Sequence, residues 1–167
     1  GVRRCGKSTL MEIAINGLVR EGVSPRNILW LGFDDERLKN MSSDDLDDVI
    51  VSYMEMFPDI PIKDVYMFFD EIQLIKDWEY FVLRVYKSYC KNIYVCGSNA
   101  TMLSTELSSA LRGYPLEYET YPLSFNEYCR FKGIATNSYL EQDRARLKMA
   151  FEAYNQAISG LFESYYI

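Results

Sequence analysis

The 167-residue sequence contains no histidine. That removes the Ser-His-Asp and Cys-His hydrolases, which need an imidazole base, and any zinc site ligated through imidazole. Cysteine is sparse: Cys5, Cys90, Cys96 and Cys129, with no two spaced as C-x-x-C. A cysteine-only zinc ribbon therefore has no basis, and a reduced, cytoplasmic protein is the simplest expectation. No run approaches the ~18 consecutive apolar residues of a helical membrane span. No basic-then-apolar segment opens the sequence in the manner of a secretory signal. Basic blocks are lacking too. Lys and Arg number 18 against 24 Asp and Glu, a net charge of −6. This balance does not suit nonspecific nucleic-acid binding through many phosphate contacts, although a local basic patch could exist. Internal repeats, low-complexity stretches and Gly/Ser linkers are also missing.

What is present reads as one ordinary globular domain over residues 1–167, with 49% hydrophobic and 25% charged residues. Helical and strand-like stretches alternate, the pattern of a mostly parallel α/β sheet. After Gly6, apolar Leu10, Ile13, Ala14 and Leu18 keep helical spacing until Gly22 and Pro25. Ile28–Phe33, Val65–Phe69 and Ile93–Cys96 read as short buried strands. Leu116–Tyr121 alternates and is expected to form a fourth strand. Ser42 and Ser43 are N-cap candidates for a helix carrying Leu46, Val49, Ile50, Tyr53 and Met54. Trp78–Tyr89 is expected to be helical, with Phe81, Val82, Val85 and Tyr89 on one side; further helices are expected over Thr105–Leu111, after Ser124, and over Tyr139–Ala157. The acids Asp44, Asp45, Asp47 and Asp48 could hold a cation or simply favour the first turn of their helix.

Gly1-Val2-Arg3-Arg4-Cys5-Gly6-Lys7-Ser8 satisfies G-x-x-x-x-G-K-[ST] at every fixed position, and a helical pattern follows at once. Glycines let successive backbone N–H groups turn toward phosphate oxygens. The helix N-terminus adds its partial positive charge. Lys7 would bridge the β- and γ-phosphates of ATP, and Ser8 would offer its hydroxyl to Mg²⁺. Gly1, Arg3, Arg4, Cys5, Gly6 and Thr9 complete the expected nucleotide-binding set. Cys5 is either redox-sensitive or a small bystander in the loop. Such a loop follows a buried strand, so a strand ahead of Gly1 is expected.

Val65–Phe69 runs into Asp70-Glu71, an apolar strand ending in two acids, as in a Walker B motif. Asp70 would hold Mg²⁺, and Glu71 would act as general base on the attacking water. The strand Ile93–Cys96 runs into Gly97-Ser98-Asn99-Ala100. Asn99 could orient that water beside the γ-phosphate, with Ser98 second, or it could simply stabilise a tight turn. No N-K-x-D guanine-reading motif occurs, which disfavours a GTPase.

These stretches resemble archaeal and bacterial AAA+-type P-loop ATPases whose loop reads G-x-R-R-x-G-K-[ST]. Phe68–Gln73 (FFDEIQ), Gly97–Leu103 (GSNATML) and Pro122–Tyr128 (PLSFNEY) match as well, and Ser159–Glu163 does so faintly. The resemblance implies a three-layer P-loop NTPase fold of the additional-strand (ASCE/AAA+) type. It also implies a further C-terminal domain and slow Mg²⁺-dependent ATP hydrolysis coupled to DNA or a protein partner, in a protein that could form a homo-oligomer. Many members carry Arg directly after the Gly of Leu111-Arg112-Gly113-Tyr114, where Tyr114 stands here. Arg112 is the near substitute for a trans-acting arginine, its alternative role being a surface pair with Glu106 or Glu117. The rival readings are a non-hydrolysing nucleotide switch and a small-molecule kinase.

Overall fold

The computed structural model describes residues 5–38, 40–97, 116, 118–136 and 141–163. The chain divides into two compact units, one of Gly6–Tyr118 and one of Gly1–Cys5 with Glu119–Ile167.

The larger unit opens with helix α1, Lys7–Arg20. Its C-terminus is closed by Gly22 at φ +96°, with Val23 N–H donating to the Leu18 carbonyl at 3.0 Å. This is the left-handed turn that glycine adopts without a Cβ penalty. Strand β1 spans Ile28–Gly32, helix α2 Ser43–Met56, strand β2 Tyr66–Asp70, helix α3 Trp78–Ser88 and strand β3 Asn92–Val95. All three strands are parallel in the order β1-β2-β3. Parallel neighbours cannot be joined by a hairpin, so α2 and α3 serve as the crossovers. The sequence places the strands within one residue of these bounds.

Strand alternation sends Met67 and Phe69 of β2 to one face, where the main core gathers. Leu46, Ile50 and Tyr53 of α2 and Trp78, Phe81, Val82 and Val85 of α3 are buried in it. Their spacings of three, four and seven put each set on one helical stripe. On the other face the register aligns Trp30, Phe68 and Tyr94. Phe68 and Tyr94 stack at 4.5 Å with an interplanar angle of 7°, and Trp30 stacks on Phe68 at 6.3 Å. β2 is therefore covered by apolar groups on both faces.

Two of the four acids at the start of α2 have identified partners. Asp45 Oδ2 accepts from Ser42 N–H and Ser42 Oγ, each at 2.7 Å, and these bonds hold its carboxyl below the usual range. Asp47 pairs with Arg84 at 2.6 Å. In α1, which forms where the helical spacing places it, Met11 is buried and Ala14 and Leu18 are partly buried, while Leu10 and Ile13 are exposed, Ile13 by 61%. One expectation needs correction. The described residues of the proposed fourth strand, 116 and 118–121, carry no strand, with Leu116 and Tyr118 85% and 81% exposed. Alternation reports a half-apolar ribbon, but a strand also needs a neighbour to complete its ladder. The expected helix over Thr105–Leu111 lies outside the described residues.

In the smaller unit, α4 (Phe125–Phe131) packs on α5 (Glu141–Glu163). Ser124 caps α4 reciprocally with Glu127, its N–H donating to Glu127 Oε2 at 2.8 Å. Phe125 meets Phe151 and Tyr154 edge-on at 5.3 and 5.6 Å, and Tyr154 donates to the Leu123 carbonyl at 2.9 Å.

Phe81 is fully buried and edges onto Phe69 at 5.6 Å. Phe81→Ala is expected to destabilise the protein by about 3–5 kcal/mol. The exposed Leu74→Ala is expected to stay within about 0.5 kcal/mol. Urea unfolding midpoints at unchanged slope measure both. A Phe81→Ala cost no larger than that of Leu74→Ala overturns the central position given to α3.

Candidate functional site

The described candidate residues lie in the larger unit at two backbone termini, the start of α1 and the end of β2. Gly6 precedes α1 at φ +88°, ψ 17°, and its carbonyl accepts the first helical bond from Leu10 N–H at 2.8 Å. A Cβ at Gly6 would meet nothing within 4 Å. Conformation rather than crowding therefore demands glycine, and the space beside the loop is open. Lys7 is the first helical residue, and Ser8 and Thr9 follow in the first turn, both exposed. That turn carries no acid, so no side chain within it offsets the positive end of the helix dipole. Cys5 belongs to the smaller unit, where its sulfur lies 3.2 Å from Thr120 Oγ1. Gly1, Arg3, Arg4, Asn99 and Arg112 lie outside the described residues.

At the other terminus, Asp70 ends β2 and is the one buried charged residue among those described, 6% exposed. Its backbone carbonyl accepts from Phe33 N–H at 3.0 Å, and Cys96 N–H donates to the neighbouring Phe69 carbonyl at 3.0 Å. The side chain is held as well: the Cys96 thiol donates to Asp70 Oδ1. Burial, then the Asp70 carboxylate, pushes the Cys96 thiol up to about 12. At neutral pH it is thus a protonated, uncharged donor.

Glu71 leaves the strand in the left-handed region, φ 52°, ψ 35°. A non-glycine residue there carries strain of order 1–3 kcal/mol, a cost met at many functional turns. Its carbonyl receives Leu74 N–H at 3.1 Å, starting the 3₁₀ turn Ile72–Leu74. The amide Nε2 of Gln73 donates to Glu71 Oε2. The two adjacent acids are therefore held by different side chains. Cys96 and Gln73 had no role in the sequence reading. The register does point to Cys96, since Phe69 pairs with Val95 and one step further sets Asp70 beside Cys96.

The donors suit Mg²⁺, a hard cation that takes one or two protein oxygens and completes its shell with waters and phosphate. Asp70 and Ser8 would supply those oxygens. No group of three or more His, Cys, Asp or Glu residues forms a protein-only cage among the described residues.

A glycine-bent loop entering a helix N-terminus, together with a buried parallel strand ending in two acids, defines a P-loop NTPase-like α/β fold. The chain belongs to the AAA domain family, which matches residues 1–129. Membership makes it a nucleotide-binding, ATPase-like domain. The chain is 34% identical to an uncharacterized protein of Haemophilus influenzae, over 98% of this chain and 43% of that protein. It is 35% identical to an uncharacterized protein of Methanocaldococcus jannaschii, over 79% of this chain and 27% of that one. A second uncharacterized protein of the same archaeon is 26% identical over 85% of this chain and 29% of its own length. The chain thus spans less than half the length of each of these relatives. No solved structure matches it. Among the described residues no helix is long and apolar enough to cross a membrane.

Proposed function

We propose that this chain binds ATP with Mg²⁺ and hydrolyses it slowly, and that nucleotide state governs engagement of a protein or DNA partner by the whole protein. The observation that carries the reading is the pair of termini in one compact unit: a phosphate-loop helix start without acids, and a buried strand ending in Asp70-Glu71. In this reading the backbone N–H groups around Gly1–Gly6 and the first turn through Thr9 hold the phosphates, with Arg3, Arg4 and Cys5 lining the loop. Lys7 places its ammonium between the β- and γ-phosphates. Ser8 and Asp70 hold Mg²⁺, which supplies charge neutralisation and orients the phosphate oxygens. Glu71 accepts a proton as the water oxygen bonds to the γ-phosphorus and the bond to the bridging oxygen of ADP breaks. Asn99 orients that water. Arg112, reaching from a second copy, stabilises the transferring phosphoryl group.

One observation favours a second reading, a nucleotide switch that does not turn over. The Glu71 carboxylate is engaged by Gln73, whose amide occupies an oxygen that would otherwise face the attacking water. Hydrolysis then requires Gln73 to release Glu71 when nucleotide is bound.

Three measurements on the full-length protein test the proposal. Lys7→Ala is expected to weaken ATP binding roughly 10- to 100-fold, through loss of a charge-assisted contact of about 1.5–3 kcal/mol. Equal affinities in an ATP titration remove the phosphate-loop assignment. Glu71→Gln is expected to bind Mg²⁺–ATP like the wild type yet release phosphate at least ~100-fold more slowly. Unchanged single-turnover rates place the base elsewhere, and a wild type that binds without turnover establishes the switch. Finally, a mixture of Arg112→Ala with Glu71→Gln is expected to regain activity that neither shows alone. A mixture that stays inactive, with specific activity flat against protein concentration, removes the trans arginine.

A further inference from the structure

We propose that Cys96 is a positioning residue for Asp70: its neutral thiol fixes the carboxylate so that the remaining oxygen is presented to a divalent cation. The proposal rests on the reading of Asp70 as the cation ligand and assigns the residue that makes it competent.

Three observations converge on it. First, the placement comes from the sheet. The β2–β3 ladder runs through Phe68↔Tyr94 and Phe69↔Val95, and Cys96 N–H continues it by donating to Phe69 at 3.0 Å. Cys96 is therefore fixed beside Asp70 by backbone bonds and not by a freely swinging loop. Second, the sulfur donates to Oδ1 of Asp70, a residue only 6% exposed. A carboxylate oxygen buried without a donor forfeits its hydration, so this contact offsets part of that cost. Third, the donor carries no charge. A lysine or arginine in its place would pin Asp70 equally well but cancel the charge a cation needs. A thiol orients the acid and leaves that charge intact. The backbone of Asp70 is held from the opposite side by Phe33 N–H, so the carboxylate has little freedom once Oδ1 is bound.

The alternative is that Cys96 only fills space at the strand end, as small apolar cysteines often do. Two substitutions separate donor from filler. Cys96→Val keeps an apolar side chain of similar size and removes the donor. Cys96→Ser keeps a donor and loses bulk. The readout is the affinity of the full-length protein for a slowly hydrolysed ATP analogue, titrated once with Mg²⁺ and once in EDTA. The metal-free affinity reports the loop, and the ratio of the two reports the cation site.

Cys96→Val is expected to lower the Mg²⁺-dependent gain at least ~10-fold, the scale of a hydrogen bond to a charged group, with metal-free affinity within about twofold of wild type. Cys96→Ser is expected to retain the gain within about threefold. Retention of the full gain in Cys96→Val overturns the proposal, as does a loss in Cys96→Ser equal to that in Cys96→Val. A wild type that binds the analogue equally with and without Mg²⁺ removes the cation role of Asp70, and the positioning role goes with it. If Cys96→Val does not fold, Cys96→Ala against Cys96→Ser makes the same comparison.

Discussion

The candidate site depends on one strand being held from every side. β2 is paired with β1 along one edge and β3 along the other. It is packed by α2 and α3 on one face and lies in the aromatic stack of Trp30, Phe68 and Tyr94 on the other. A strand so enclosed has little room to shift register, because a one-residue slip would carry Met67 and Phe69 out of the core. Asp70 inherits that rigidity. Its position is set by packing several residues away, and its side chain needs only one further bond to be fixed.

Glu71 stands in a different relation to the same strand. The ladder ends at Asp70, and the next residue turns into the left-handed region before a short 3₁₀ turn. Two adjacent acids thus stand in different backbone settings, one in the ladder and one in the turn beyond it. In an extended strand they would point to opposite faces, with the second one pressed into the apolar core. The strained turn at Glu71 avoids this, and burial of Ile72 and Trp78 just beyond it offsets the cost.

Much of this was legible in the residues, and the gaps have physical causes. VYMFFDE announces a buried strand with acids at its end, because few other arrangements bury five consecutive apolar residues. The stripes of α2 and α3 read correctly because helical spacing is itself a statement about one face. Strand pairing is not local, so nothing in IYVCGSN says that Cys96 faces Asp70; the polar residues beyond it drew attention instead. The same non-locality explains Leu116–Tyr121, whose alternation is real but whose described residues have no ladder to join. In α1 the covered side carries Met11, Ala14 and Leu18, spaced by three and four, while Leu10 and Ile13 at its flank are exposed. Periodicity identifies a face and does not supply its partner.

Charge gives the arrangement its logic. The chain carries a net −6, and several of its cations are spent on exposed acids: Arg26 on Asp59, Arg37 on Asp35 and Arg84 on Asp47. Asp70 is treated differently, since the side chain on it is a neutral thiol. An intact negative charge at the end of β2 would repel a bare triphosphate held at the start of α1. The same charge attracts a triphosphate that arrives with its cation. Under the proposed assignment the helix start would favour the anion and the strand end the metal, so each ligand would lower the cost of binding the other. Linkage makes that coupling reciprocal. A positively charged partner on Asp70 would have severed it, leaving a site that holds nucleotide without sensing whether the metal is there.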